Sequence, residues 1–98
     1  MSIKHSENYC ANPPGRLISE MLEDRSISEK EMAEKLGLPE YYMYDLIEGD
    51  VPLTPSIAEK LETNLGMSAA FWMRYEKRYQ DKLQKVNEEN RIMFLEPA

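Results

Sequence analysis

Apolar residues fall in short clusters separated by glycine and proline, and within each cluster they recur at helical spacing rather than alternating. Asn12-Pro13-Pro14-Gly15 opens the first cluster. Proline is tolerated in a helix's first turn because its missing N–H has no partner there. Leu17, Ile18, Met21 and Leu22 then build one apolar face, and this helix is expected to end near Asp24 and Arg25. Ser28 with Glu31 three residues on is a capping box, and Ile27 before it can staple onto Met32. The second helix carries Met32, Ala33 and Leu36 inward and stops at Gly37. A turn of Gly37-Leu38-Pro39 leads to a third helix from Glu40 to Glu48, with Met43, Leu46 and Ile47 on its core face. Asp50-Val51-Pro52 loops out, and Thr54-Pro55 starts a fourth helix on Ile57, Ala58, Leu61 and Leu65, with Gly66 as its C-cap. Ser68 caps a last helix of about 20 residues, ~30 Å long, with the stripe Phe71/Trp72, Tyr75, Tyr79, Leu83 and Val86. No strand of useful length is expected, so the fold class is all-α.

Residues 1–12 lack periodicity and read as a flexible arm; 13–90 form the folded domain, with 91–98 as a tail containing the apolar run Ile92 to Leu95. The stripe on the last helix extends beyond what four short helices could cover, which predicts a dimer.

At 98 residues the chain suits one small domain. No apolar run approaches the roughly 20 residues of a membrane span, and the first residues lack an apolar signal core. Cys10 is the single cysteine, so no internal disulfide forms, and a cytoplasmic protein is expected. The single histidine, His5, leaves no catalytic triad away from the terminus. His5 and Cys10 lack the second pair of ligands that a zinc site needs, and the four glycines lie too far apart to cradle a phosphate. No enzyme activity, cofactor or metal is expected.

Residues 28–48 have the requirements of a helix-turn-helix: Ala33 is small where two helices cross, Gly37 permits the turn, and Leu38, Met43 and Leu46 seat the second helix. Spacing alone is equally met by an ordinary helical bundle. Taken with Pro13-Pro14-Gly15, Leu53-Thr54-Pro55 and Gly66-Met67-Ser68-Ala69-Ala70-Phe71-Trp72-Met73, however, the chain resembles the HigA-type antitoxins of the phage-repressor-like XRE family over about residues 13–79. The resemblance implies a five-helix, lambda-repressor-like domain with a long C-terminal helix. It also implies a homodimer that binds double-stranded operator DNA, represses its own operon and neutralises a cognate basic, mRNA-cleaving toxin. The start of the second helix, Ser28, Glu29 and Lys30, would lie against a phosphate. The third helix would enter the major groove with Pro39, Glu40, Tyr41, Tyr42, Tyr44 and Asp45.

Charge complicates this reading. The net charge is −6, and residues 28–66 alone hold nine carboxylates against three lysines. Phosphate neutralisation supplies most non-specific affinity for DNA, so such a head relies on the bases that can compensate for its carboxylates. Candidates are Arg16, Arg25, Lys30 and Lys35, while tyrosine hydroxyls and a carboxylate on cytosine N4 can serve without positive charge. The alternative is a protein-interaction module that has the scaffold without the DNA affinity. The bases of the last helix (Arg74, Lys77, Arg78, Lys82 and Lys85) form either a solvated face or a contact surface. The same acidity would steer the chain towards a basic toxin. The arm 1–12 and the run 92–95 are candidate toxin-binding segments.

Overall fold

Local signals place most of the helix ends. The computed structural model describes residues 4–6 and 8–95, with side chains described as far as Arg91. It contains α1 (Pro14–Asp24), α2 (Glu29–Leu36), α3 (Glu40–Glu48), α4 (Pro55–Leu65) and α5 (Ala69–Leu95). Ser28 Oγ accepts from the Glu31 N–H at 3.0 Å, Thr54 Oγ1 from Ile57 at 3.3 Å, and Ser68 Oγ from Phe71 at 3.0 Å. Each hydroxyl satisfies one of the orphan donors of a first turn. α1 ends differently, because Ser26 itself takes the left-handed conformation (φ 56°). Ile27 N–H then donates back to the Leu22 carbonyl at 2.9 Å.

The main core gathers Ile18 and Leu22 of α1, Met32, Ala33 and Leu36 of α2, and Met43, Leu46 and Ile47 of α3. Leu53, the α4 residues Ile57, Ala58, Leu61 and Leu65, and Trp72 complete it. These are the predicted faces. Gly15 is buried in α1 because the backbone of Ile47 lies directly against it; a Cβ there would overlap the Ile47 carbonyl group. The first helix can therefore cross α3 at a distance that only glycine permits.

Two expectations about the ends of the chain are corrected. Residues expected to be a flexible arm include a small antiparallel hairpin, β1 (Lys4–His5) with β2 (Cys10–Ala11), in the register Lys4↔Ala11 and His5↔Cys10. It lies on α5 through a second cluster of Ala11, Tyr79 and Val86, flanked by Tyr9 and Leu83. Asn8 clasps Glu89 with its backbone N–H (2.7 Å) and its side-chain amide (2.9 Å). Tyr9 lies under the ammonium groups of Lys82 and Lys85, 5.7 and 5.5 Å from its ring centre. The stripe that pointed to a dimer is thus covered over Tyr79 and Val86 by the chain's own first residues. The last helix runs 27 residues rather than about 20, because no glycine or proline interrupts it before Pro97. It passes the expected boundary at residue 90, and at ~40 Å it dominates a molecule of 50 × 24 × 22 Å. The side chains of 92–95, a candidate toxin-binding run, lie outside the described residues.

Among the described residues Glu76 is the one buried charged side chain. Burial pushes its carboxyl above the ordinary range, opposed by hydrogen bonds from the Gln80 amide and the Leu53 backbone N–H. It thereby ties α5 to the loop before α4. No helix among the described residues is long and apolar enough to cross a membrane.

Candidate nucleic-acid interface

The unit of α2, turn and α3 is built from the backbone outward. Gly37 ends α2 in the left-handed region (φ 69°), where a β-carbon would be strained. Leu38 N–H donates to the Ala33 carbonyl at 2.8 Å, and Gly37 N–H to Glu34 at 3.2 Å, the paired bonds of a Schellman turn. Leu38 packs half-buried on the core, so the direction in which α3 leaves is set by both bonding and burial.

α3 buries Met43, Leu46 and Ile47. On the opposite face, Tyr41 is 71% and Tyr44 54% exposed, and these are the exposed large hydrophobic side chains among the described residues. Three residues apart, they share one side of the helix, with Glu40 exposed beside them. Pro39 sits exposed at the N-cap with no side-chain cap of its own. Ser28, Glu29 and Lys30 are exposed at the start of α2, where the first-turn acids Glu29 and Glu31 complement the helix dipole. Seven of the nine predicted contact residues are therefore on the surface. The other two, Tyr42 and Asp45, are half-buried, and Tyr42 packs against the main core.

The cations named as compensation for the acidic head divide into two kinds. The Arg25 guanidinium donates to the carbonyls of Leu65 (2.9 Å) and Asn64 (3.4 Å), satisfying the C-terminus of α4. Arg16 donates to Asn12 Oδ1 at 3.0 Å and pairs with Glu20 at 3.6 Å. Lys60, the third lysine of the acidic stretch, donates to the Leu36 carbonyl at 3.0 Å and closes α2. Arg25 and Lys60 thus tie one helix to the end of another, and Arg16 is engaged locally along α1. Lys30 and Lys35 stay exposed on α2 without an ion pair among the described residues. Sequence reasoning did not find the capping roles of Arg25 and Lys60, since each reaches a carbonyl 24 or more residues away.

Comparison with solved structures places this architecture among known ones. A protein named as an antidote of a plasmid maintenance system, from Nostoc punctiforme, is 27% identical. It covers 88% of this chain and 99% of its own, with a TM-score of 0.71. Antitoxin HigA of Pseudomonas aeruginosa, solved with the higBA promoter, is 21% identical over 88% of this chain and 95% of its own, with a TM-score of 0.72. An addiction module antidote protein of the HigA family from Coxiella burnetii is 20% identical over 87% and 94%, with a TM-score of 0.69. No family model and no curated protein sequence matches the chain.

Proposed function

This chain has the HigA-type antitoxin fold, and from that premise we propose that it is the antitoxin of a type II toxin–antitoxin module. In this reading it acts in the cytoplasm as a homodimer, neutralises a basic mRNA-cleaving toxin and represses its own operon. The observation that carries the DNA half is the exposed pair Tyr41 and Tyr44 on α3, the helix that follows the Gly37 turn. Soluble domains rarely leave adjacent aromatic rings in water without a partner. Tyr41, Tyr44 and Glu40 reach base edges in the major groove, where rings pack on thymine methyls and a carboxylate accepts from cytosine N4. Asp45 flanks them, and Tyr42 seats the helix. Pro39 fixes the start of α3 against the backbone. Ser28, Glu29 and Lys30 present the N-terminal amides of α2 to a phosphate. With Arg16, Arg25 and Lys60 engaged within the fold, Lys30 and Lys35 are the phosphate-neutralising bases of the head.

Fluorescence anisotropy on a duplex from the gene's own upstream region tests this, at two salt concentrations and against a scrambled duplex. Sequence-dependent binding is expected, with a salt slope of about −4, because Lys30 and Lys35 of the two protomers neutralise about four phosphates. Tyr41→Ala should weaken it by about tenfold, the value of one lost base contact at ~1–3 kcal/mol. Absence of binding at low salt refutes the repressor half. The nine carboxylates in residues 28–66 then favour the second reading, a partner-binding module whose Tyr41 and Tyr44 serve a protein interface.

A further inference from the structure

The middle of α5 carries an arrangement that repression does not use. Arg74, Arg78 and Lys82 recur every fourth residue, so three cations stand along one edge of the helix in steps of ~6 Å. Like charges at this spacing repel and cost helix stability. None of the three pairs with a carboxylate among the described residues. They rim a groove of about 440 Å³ between α5 and the hairpin, and among the described residues no carboxylate lines it.

The groove's other surface is aromatic. Phe71 and Tyr75 are half-buried in it, held edge-to-face at 6.3 Å between ring centres, and Phe71 is braced against the buried Trp72 at 5.4 Å. Tyr79 lies deeper, its hydroxyl donating to the Gly49 carbonyl at 3.4 Å. Cys10 and Asn12, at the end of the hairpin, close the far side. In a chain of net charge −6, this is a cationic, ring-walled cleft of the size that takes small ligands.

We propose that this groove binds a nucleoside diphosphate, with its phosphates on the Arg74–Arg78–Lys82 row and its base against Phe71 and Tyr75. Arginine forks match phosphate oxygens in pairs, and a row ~12 Å long calls for more than one phosphate. The aromatic wall calls for a flat ring beside them, as stacking sites for nucleotides provide. A bare phosphate would leave the rings unused, and so would an acidic peptide. Binding would relieve the repulsion along α5 and tie the hairpin to the helix. This ligand site is separate from the α3 face and does not depend on the chain binding DNA.

Isothermal titration of the full chain with ADP, inorganic pyrophosphate, hexa-aspartate and a single-stranded hexauridylate tests the assignment. ADP is expected to bind, with pyrophosphate and hexa-aspartate at least about tenfold weaker and hexauridylate no tighter than ADP. Arg74→Gln and Arg78→Gln should each weaken ADP about tenfold or more, the loss of a charge-assisted bond. Lys77→Gln removes the same charge from α5 outside the groove and should change affinity less than about twofold. Because the substituted side chains are exposed, circular dichroism should report folded variants. Four outcomes overturn the proposal: no heat with ADP up to millimolar concentration, pyrophosphate or hexa-aspartate as tight as ADP, an equal loss in Lys77→Gln, or hexauridylate tighter than ADP.

Discussion

Replacing Gly15 with alanine sets helix propensity against packing. Within a helix, alanine is favoured over glycine by up to about 1 kcal/mol, so a reading of α1 alone predicts a more stable protein. The fold predicts the reverse. The new Cβ would overlap the carbonyl group and Cα of Ile47, which are backbone atoms that cannot rotate aside, so α1 and α3 must separate. Forced overpacking costs ~1–3 kcal/mol, and contact with backbone belongs at the upper end, which leaves a net destabilisation of about 2 kcal/mol. For a domain of this size 1 kcal/mol moves the melting temperature by ~4–8 °C, so a fall of about 8–15 °C is expected. Thermal and urea melts followed by circular dichroism measure it directly. A Gly15→Ala variant as stable as the parent, or more so, would refute the claim that the close crossing of α1 over α3 orders this fold.

Two further predictions concern acid–base groups. Burial raises the Glu76 carboxyl, so the folded state holds this proton to higher pH than the unfolded chain does. Its contribution is therefore most favourable below the ordinary carboxylate pKa and declines as pH rises through the raised value. Glu76→Gln, which keeps an acceptor for the Leu53 N–H, should flatten stability between about pH 4 and 7 in urea melts, and an unchanged slope would contradict this. Glu89 behaves oppositely. The Asn8 backbone N–H, then the Asn8 side chain and Ser6, lower its carboxyl below the ordinary range, so the clasp is complete above that range and lost as pH falls through the lowered value. Amide protection factors at residues 4–6 and 8–11, taken relative to the intrinsic exchange rate, should fall below about pH 4, and Glu89→Gln should reproduce that loss at neutral pH. Protection that ignores both changes would show that the clasp does not hold the hairpin.

The helices were legible where short-range chemistry decides them. Ser28, Thr54 and Ser68 each announce a helix start, and Met43, Leu46 and Ile47 take the inner face of α3 and so leave Tyr41 and Tyr44 outside. What escaped the sequence depends on partners far along the chain. The hairpin has two-residue strands, too short for alternation to register, and its anchors on α5 lie more than 65 residues away. Gly15 reads as a helix opener beside Pro14, and its role as a crossing point emerges only when Ile47 is brought against it. Arg25 and Lys60 look like free surface charge until their carbonyl partners are in place. The overall acidity was visible, whereas the number of bases left available to DNA was not.

The clasp between Asn8 and Glu89 joins residues 81 apart in the chain. A ribosome makes the first partner 81 residues before the second, and domains fold as their residues emerge. Ala11 therefore waits for Tyr79 and Val86, and closing so long a loop comes after the local contacts of the helices. During synthesis the hairpin is the last part of this fold to be secured. Through that interval proteases and chaperones meet it unprotected, while the α2–α3 unit, whose contacts are local, already has what it needs to form.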